Sequence, residues 1–219
     1  MANNLLKGKR GIIFGALNEQ SIAWKVAQRA REEGATFVLT NAPIAMRMGE
    51  ISNLAKETGS EIIPADATSV EDLDNLISKS MEILGGKLDF VLHSIGMSPN
   101  VRKGKHYTEN NYAFYNQSMD VSAISLHKTL ASCYKLDALN EWSSVVALTY
   151  IAAQRIFPDY NDMADAKSLL ESITRSFGYH YGIKKKVRVN TISQSPTVTT
   201  AGQGIKGFTE FINFSEQMS

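Results

Sequence analysis

A single cysteine, Cys133, stands among 219 residues. That excludes an intrachain disulfide framework and a zinc site built on several thiolates, and it suits a reducing cytoplasm. An excess of one charge is missing too: 23 Lys and Arg face 22 Asp and Glu. That argues against a nucleic-acid binder that relies on counterion release. No apolar run approaches the ~20 residues that span a bilayer, and the opening MANNLLKGKR lacks the apolar core of a secretory signal. The four histidines have no metal-ligand spacing. Repeats, low-complexity tracts and linkers are also absent. With 43% hydrophobic residues the chain can build one sizeable core, so a single domain over 1–219 is expected.

What is present is alternation. Short apolar runs at 10–15, 35–40, 61–66, 88–96, 143–149 and 187–193 read as strands. Amphipathic stretches between them read as helices: 21–33 closed by Gly34, 45–58 closed by Gly59, one from TSVEDL to Gly85, then 114–136 and 160–181. Thr68 with Glu71 reads as a capping box, and 97–112 as irregular. Continuous rather than alternating apolar strands imply a parallel sheet covered on both faces. Right-handed crossovers then predict an α/β, Rossmann-like, doubly wound sheet of order 3-2-1-4-5-6. Ligands bind such sheets at the C-terminal strand ends. The loops after Gly15, Thr40, Asp66, His93, Thr149 and Ser193 all fall on that edge.

The first strand-to-helix turn, FGALNEQSIAWKVA, lacks G-x-G-x-x-G. Gly15 makes the tight turn, and the helix opening at Ser21-Ile22 offers free N–H groups to a phosphate. Ser21 reads either as a phosphate donor or as an ordinary N-cap. After strand two, TNAPIAMR carries no acid for an adenosine ribose. Arg47 either meets a 2′-phosphate or is a solvated helix residue. Asp66 either accepts from an adenine amino group or ends its strand. His93 reads as structural rather than catalytic, and Lys184 to Lys186 as a solvated turn.

The residues that say most are Tyr150, Tyr160 and Lys167. Tyr160 and Lys167 are seven apart, which predicts one helix face two turns long. An ammonium beside a phenol lowers its pKa. Such a phenol can donate to a carbonyl oxygen that is gaining charge. Alone the spacing is common; its company makes it informative.

Gly15, Ser21-Ile22-Ala23, Asp66, HSIG at 93–96 and the Tyr150/Tyr160/Lys167 set share one sheet edge. In this combination the chain resembles the bacterial NADH-dependent enoyl-acyl-carrier-protein reductases, a branch of the short-chain dehydrogenase/reductase superfamily. The likeness includes GKRGIIFGALNEQSIAW, LHSIGMSP, YNDMADAK and VRVNTISQSPTVTTAG. The resemblance implies that Gly15, Ser21 and Ile22 hold a pyrophosphate, with Asp66 and Ala67 around adenine. It implies Ile95 and Lys167 at the nicotinamide ribose, and Thr197, Val198, Thr199, Thr200 and Ala201 over the nicotinamide carboxamide. Ser98 is implied as a backbone contact to the acyl substrate, Tyr160 as donor to the thioester carbonyl, and Tyr150 as the second active-site tyrosine. The implied reaction reduces the trans-2 double bond of an enoyl thioester, carried by acyl carrier protein or CoA, in type II fatty acid elongation. A cytoplasmic homotetramer is implied, without nucleic acid, membrane or metal.

Three departures from that pattern matter. Ala42 stands where relatives carry a polar residue for the ribose, so NADH is expected with NADPH still open. Lys206 is alone where relatives show several basic residues for the carrier. The family also continues past this length with a seventh strand and a terminal segment over the cofactor, which implies an incomplete wall and an open edge at strand six. The nearest rival is a ketone or alcohol reductase. That class carries a serine thirteen residues before the active tyrosine, where this chain has Ala147, and an asparagine in the long helix, where it has Asp120. A nucleotide-binding protein without turnover is the alternative of another class.

Overall fold

The computed structural model describes residues 3–48, 50–199, 202, 212 and 213. Six strands form one parallel sheet: β1 Arg10–Phe14, β2 Thr36–Thr40, β3 Glu61–Ile62, β4 Leu88–His93, β5 Leu139–Thr149 and β6 Arg188–Ser193. Their order is β3-β2-β1-β4-β5-β6, as the alternation predicts. Helices α1 (Ile22–Glu32) and α2 (Ile51–Thr58) cover one face; α3 (Val70–Leu84), α6 (Ser125–Lys135) and α7 (Asp162–Lys185) cover the other. Among the described residues, α4 (Pro99–Arg102) and α5 (Tyr112–Met119) follow β4.

Apolar runs become central strands because both sheet faces need covering. In β1, Ile12 and Phe14 enter the core under α3, α6 and α7, while Ile13 enters the core under α1 and α2. Helix α1 buries Ala23, Trp24, Ala27 and Ala30, a stripe at helical spacing. Small alanines let the helix sit close to the sheet.

Local departures have identifiable causes. The third strand is expected over 61–66 but pairs regularly only at Glu61–Ile62. Ile63 and Ala65 still donate to Leu39 O and Asn41 O, while Pro64 between them has no N–H to give. The expected capping box moves by one residue. Ser69 caps α3 and accepts from Asp72 N–H, while Thr68 is turned towards Asp66. The helix expected from 45 is a 3₁₀ segment, Pro43–Met48, before α2 begins. The long helix expected over 114–136 runs from Tyr112 to Lys135 but contains a π segment, Asp120–Ile124. There Ser122 Oγ accepts from Met97 N–H and donates to Met97 O, pinning the loop after β4. Lys184 to Lys186 are more than a solvated turn. Lys184 lies over the Tyr134 ring, Lys185 pairs with Asp137, and Lys186 with Glu141.

Candidate active site

A cavity of about 1050 Å³ opens along the C-terminal edge of the sheet, just above the ~300–1,000 Å³ usual for small-molecule sites. One end is the turn between β1 and α1. Gly15 has φ 89° and donates its N–H to Thr40 O at 3.1 Å. A Cβ there would stand 1.9 Å from Ser94 O, so the turn can pass β4 only as glycine. Ser21 precedes α1 but makes no side-chain cap bond. Its Oγ accepts from Leu17 N–H (3.1 Å) and Asn18 N–H (3.0 Å) and donates to Asn18 Oδ1 (3.2 Å). The hydroxyl therefore closes the turn behind the helix. The start of α1 carries no acidic residue and no capping side chain, which suits a phosphate at the positive end of the helix dipole.

Ala42, Arg47, Asp66 and Ala67 line the next stretch of the cavity. Arg47 is exposed. Asp66 Oδ1 accepts from both Thr68 N–H (2.8 Å) and Thr68 Oγ1 (2.7 Å), so the carboxylate also holds its own turn.

The far end brings Ile95, Ser98, Tyr150, Tyr160 and Lys167 together, with Met163 beside them. The rings of Tyr150 and Tyr160 are 4.9 Å apart and tilted by 50°. Tyr160 is not on α7, as the seven-residue spacing predicts, but in a 3₁₀ turn, Pro158–Tyr160, ahead of it. Asn161 breaks the helix with φ 44° and ψ −135°. That break separates the direction of Tyr160 from the helix face of Lys167.

The expected lowering of the phenol pKa does not occur. Burial holds the Tyr160 hydroxyl well above its ordinary value, with Tyr150 adding to the effect. Burial raises Tyr150 as well. Lys167 is buried, its Nζ donates to Leu148 O at 2.7 Å, and burial draws its pKa down to about 8. Desolvation is the leading cause for all three groups. The result is two neutral phenols and an ammonium that is still protonated at pH 7. A neutral phenol is a hydrogen-bond donor, so the capacity to stabilise an oxyanion remains.

The remaining expected residues divide. Thr197 and Thr199 line the cavity, whereas Val198 lines only an adjoining open cleft against Glu19, Lys25 and Arg29, which Thr197 also borders. Thr200, Ala201 and Lys206 lie outside the described residues. His93 is buried below the site, with Nε2 2.9 Å from Ser125 Oγ, and burial draws its pKa down to about 3. It is a neutral structural residue, as read from the sequence. Ala147 is buried and in register between His93 and Thr191, so this position of β5 offers no hydroxyl to the tyrosines. Asp120 pairs with Lys128 at 2.6 Å. Met97, Val101, Gln117 and Val121 also line the cavity; they are two pairs from stretches that meet only in the fold, and neither pair carries a residue type that marks a site.

Comparisons with known proteins point the same way as this geometry. The model of a family described as enoyl-(acyl carrier protein) reductase matches residues 15–219. The chain is 33% identical over 216 residues to the NADH enoyl-acyl-carrier-protein reductase 1 of Rhizobium meliloti, covering 98% of this chain and 78% of the relative. It is 35% identical over 214 residues to FabI, an NADH enoyl-acyl-carrier-protein reductase of Rickettsia bellii, covering 97% and 79%. Among solved structures it resembles the FabI–NADH complex from Alistipes finegoldii, at TM-score 0.97 and 63% identity over 99% of this chain and 76% of that one.

Proposed function

The chain belongs to the enoyl-(acyl carrier protein) reductase family, and from that membership we infer that it reduces the trans-2 double bond of enoyl thioesters with NADH. The observation that carries the reading is the Tyr150–Tyr160 pair, 4.9 Å apart, in one cavity with Lys167 and beside an alanine where carbonyl reductases keep a serine. The substrate is an enoyl group on acyl carrier protein or CoA, and the reaction completes a round of type II fatty acid elongation. Work in the cytoplasm and assembly as a homotetramer belong to the same reading. The lone buried thiol of Cys133 suits a reducing compartment.

The residues fit a dinucleotide. The acid-free start of α1 and the Gly15 turn suit the pyrophosphate, Asp66 and Ala67 the adenine, and Ile95 and Lys167 the nicotinamide ribose. Thr197 to Ala201 are assigned to the carboxamide side. When bound, NADH supplies the hydride for the β-carbon of the substrate. Tyr160 donates its proton in a hydrogen bond to the thioester oxygen, where negative charge builds as the double bond is lost. Because the hydroxyl is buried and neutral, no deprotonation competes with donation. Tyr150 packs on Tyr160 and limits its ring to one side of the cavity. Lys167 is held by Leu148 O through one N–H and offers its remaining N–H groups to ribose hydroxyls. Ser98 presents its backbone to the acyl group.

The test is spectrophotometric. Purified protein with crotonyl thioester should consume NADH, and with acetoacetyl thioester should consume it far more slowly. Faster loss with the acetoacetyl substrate would make the chain a carbonyl reductase. Tight NADH binding without turnover of either would make it a binding protein. Repeating the assay with NADPH decides whether Arg47 accepts a 2′-phosphate.

A further inference from the structure

Beside the cavity lies a buried polar seam that the reaction as described does not use. Asp162, the first residue of α7, is fully buried. Its Oδ1 accepts from Ser98 Oγ at 2.5 Å, and its Oδ2 from Asn100 Nδ2 and Ser118 Oγ, both at 2.9 Å, the single Ser118 hydrogen being shared with Phe114 O at 2.8 Å. All three donors are themselves buried, and none of the three is cationic. The seam continues through its neighbours. Asn161 Nδ2 donates to Lys105 O at 2.7 Å, Asn110 Nδ2 donates to Asn161 Oδ1 at 2.6 Å, and Asn111 N–H donates to Asn100 Oδ1 at 3.1 Å.

A buried carboxylate is costly unless its oxygens are satisfied. Here three hydrogen bonds and the positive end of α7 together stabilise it. The bonds also join three segments far apart in sequence: the loop after β4, helix α5 and the start of α7. Two reacting-site elements hang on them. Ser98 lines the cavity, and Tyr160 precedes Asp162 by two residues across the unusual backbone of Asn161. The groups assigned to the cofactor are anchored by other bonds: Gly15 at the other end donates to Thr40 O, and Lys167, at this end, to Leu148 O.

We propose that Asp162 is a positioning residue that sets the Tyr160 hydroxyl against the Ser98 loop, and so fixes the acyl-thioester half of the cavity independently of the cofactor half. This deepens the enoyl-reductase reading and rests on it. Asp162 touches no reacting atom; it acts through Tyr160 and Ser98. Loss of its acceptors leaves Ser98 and one Asn100 N–H facing an apolar side chain, while Ser118 keeps Phe114 O as acceptor, and it frees the turn that aims Tyr160.

Asp162→Val tests this. Its kcat/KM for crotonyl thioester should fall ~100-fold, the effect of an ångström-scale misplacement of a reacting group, with KM raised and kcat lowered together. NADH Kd, read by nicotinamide fluorescence, should stay within about twofold, because the cofactor wall is held separately. Asp162→Asn should recover most of the activity. Its oxygen can still accept from Asn100 and Ser118, and its amide can donate to Ser98 Oγ. Wild-type kcat/KM in Asp162→Val would overturn the proposal, as would a loss of NADH affinity in step with turnover, which marks a general structural role. Should Asp162→Val not fold, Ser118→Ala removes one bond at a residue that does not line the cavity. A several-fold drop in kcat/KM at constant NADH Kd is then expected, and full activity would refute the assignment. Wild-type protein that turns over no enoyl thioester would instead remove the functional reading beneath it.

Discussion

Replacing Lys167 by methionine should make the cofactor-free protein more stable while abolishing tight NADH binding. The ammonium is buried, with Leu148 O at 2.7 Å as its named partner, and its pKa falls from the ordinary 10.5 to about 8. Each pH unit of displacement corresponds to ~1.4 kcal/mol, so keeping this charge in the apo fold costs roughly 3 kcal/mol at neutral pH. Methionine keeps the apolar stem and removes the charge. It also removes the bond to Leu148 O, worth about 1 kcal/mol. The net gain is about 2 kcal/mol, or ~4–8 °C in Tm for a chain of this size. The folded-state pKa lies below the ordinary value, so the cost is complete below about pH 8. It disappears as pH rises towards 10.5, because the unfolded chain then binds more protons than the folded one. The advantage of the variant should therefore shrink across that interval.

NADH should reverse the ranking. Ligand at a hundred times its Kd stabilises the wild type by ~2.7 kcal/mol, and the variant gains little. Differential scanning calorimetry with and without NADH, at two pH values on either side of 8, reads both effects. An apo variant that melts at or below the wild type at pH 7 would refute the reasoning, as would a stability difference that ignores pH. Either result would mean that the lysine is not held against its solvation in the empty site.

Other consequences are simpler to state. Tyr160→Phe removes the oxyanion donor and should lower kcat for crotonyl thioester by ~10²–10³ with NADH affinity unchanged; an unaltered kcat would take Tyr160 out of the chemistry. Gly15→Ala forces a side chain into φ 89° and sets its Cβ 1.9 Å from Ser94 O. It should lose ~1–2 kcal/mol from the backbone alone and weaken NADH binding further, and a variant with wild-type Tm and Kd would contradict that close approach. His93 is neutral in the fold down to about pH 3 and titrates near 6.5 when unfolded. Its contribution is complete above 6.5 and is lost as pH falls towards 3. His93→Gln should therefore flatten the acid loss of stability by up to ~1.4 kcal/mol per pH unit, and an identical slope would show that other groups cause it.

Strand order was legible from the sequence because buried parallel strands must be apolar along their whole length, and connections between them have one hand. The same logic puts Gly15, Asp66, Tyr150 and Lys167 on one edge. Short-range punctuation was less legible. Ser69 rather than Thr68 caps α3 because Thr68 is claimed by Asp66, a competition between adjacent residues that composition does not rank.

What the sequence determined by itself is the architecture, the ligand edge and the presence there of a tyrosine–lysine set without the serine of carbonyl reductases. Each of these follows from local periodicity or from residue type. Only the tertiary structure decided how the set works. Asn161 turns Tyr160 off the helix, burial keeps both phenols protonated and draws the Lys167 pKa down, and Asp162 gathers Ser98, Asn100 and Ser118 from positions 64, 62 and 44 residues away. Those outcomes depend on desolvation and on distances between remote segments, and neither quantity exists until the chain has folded.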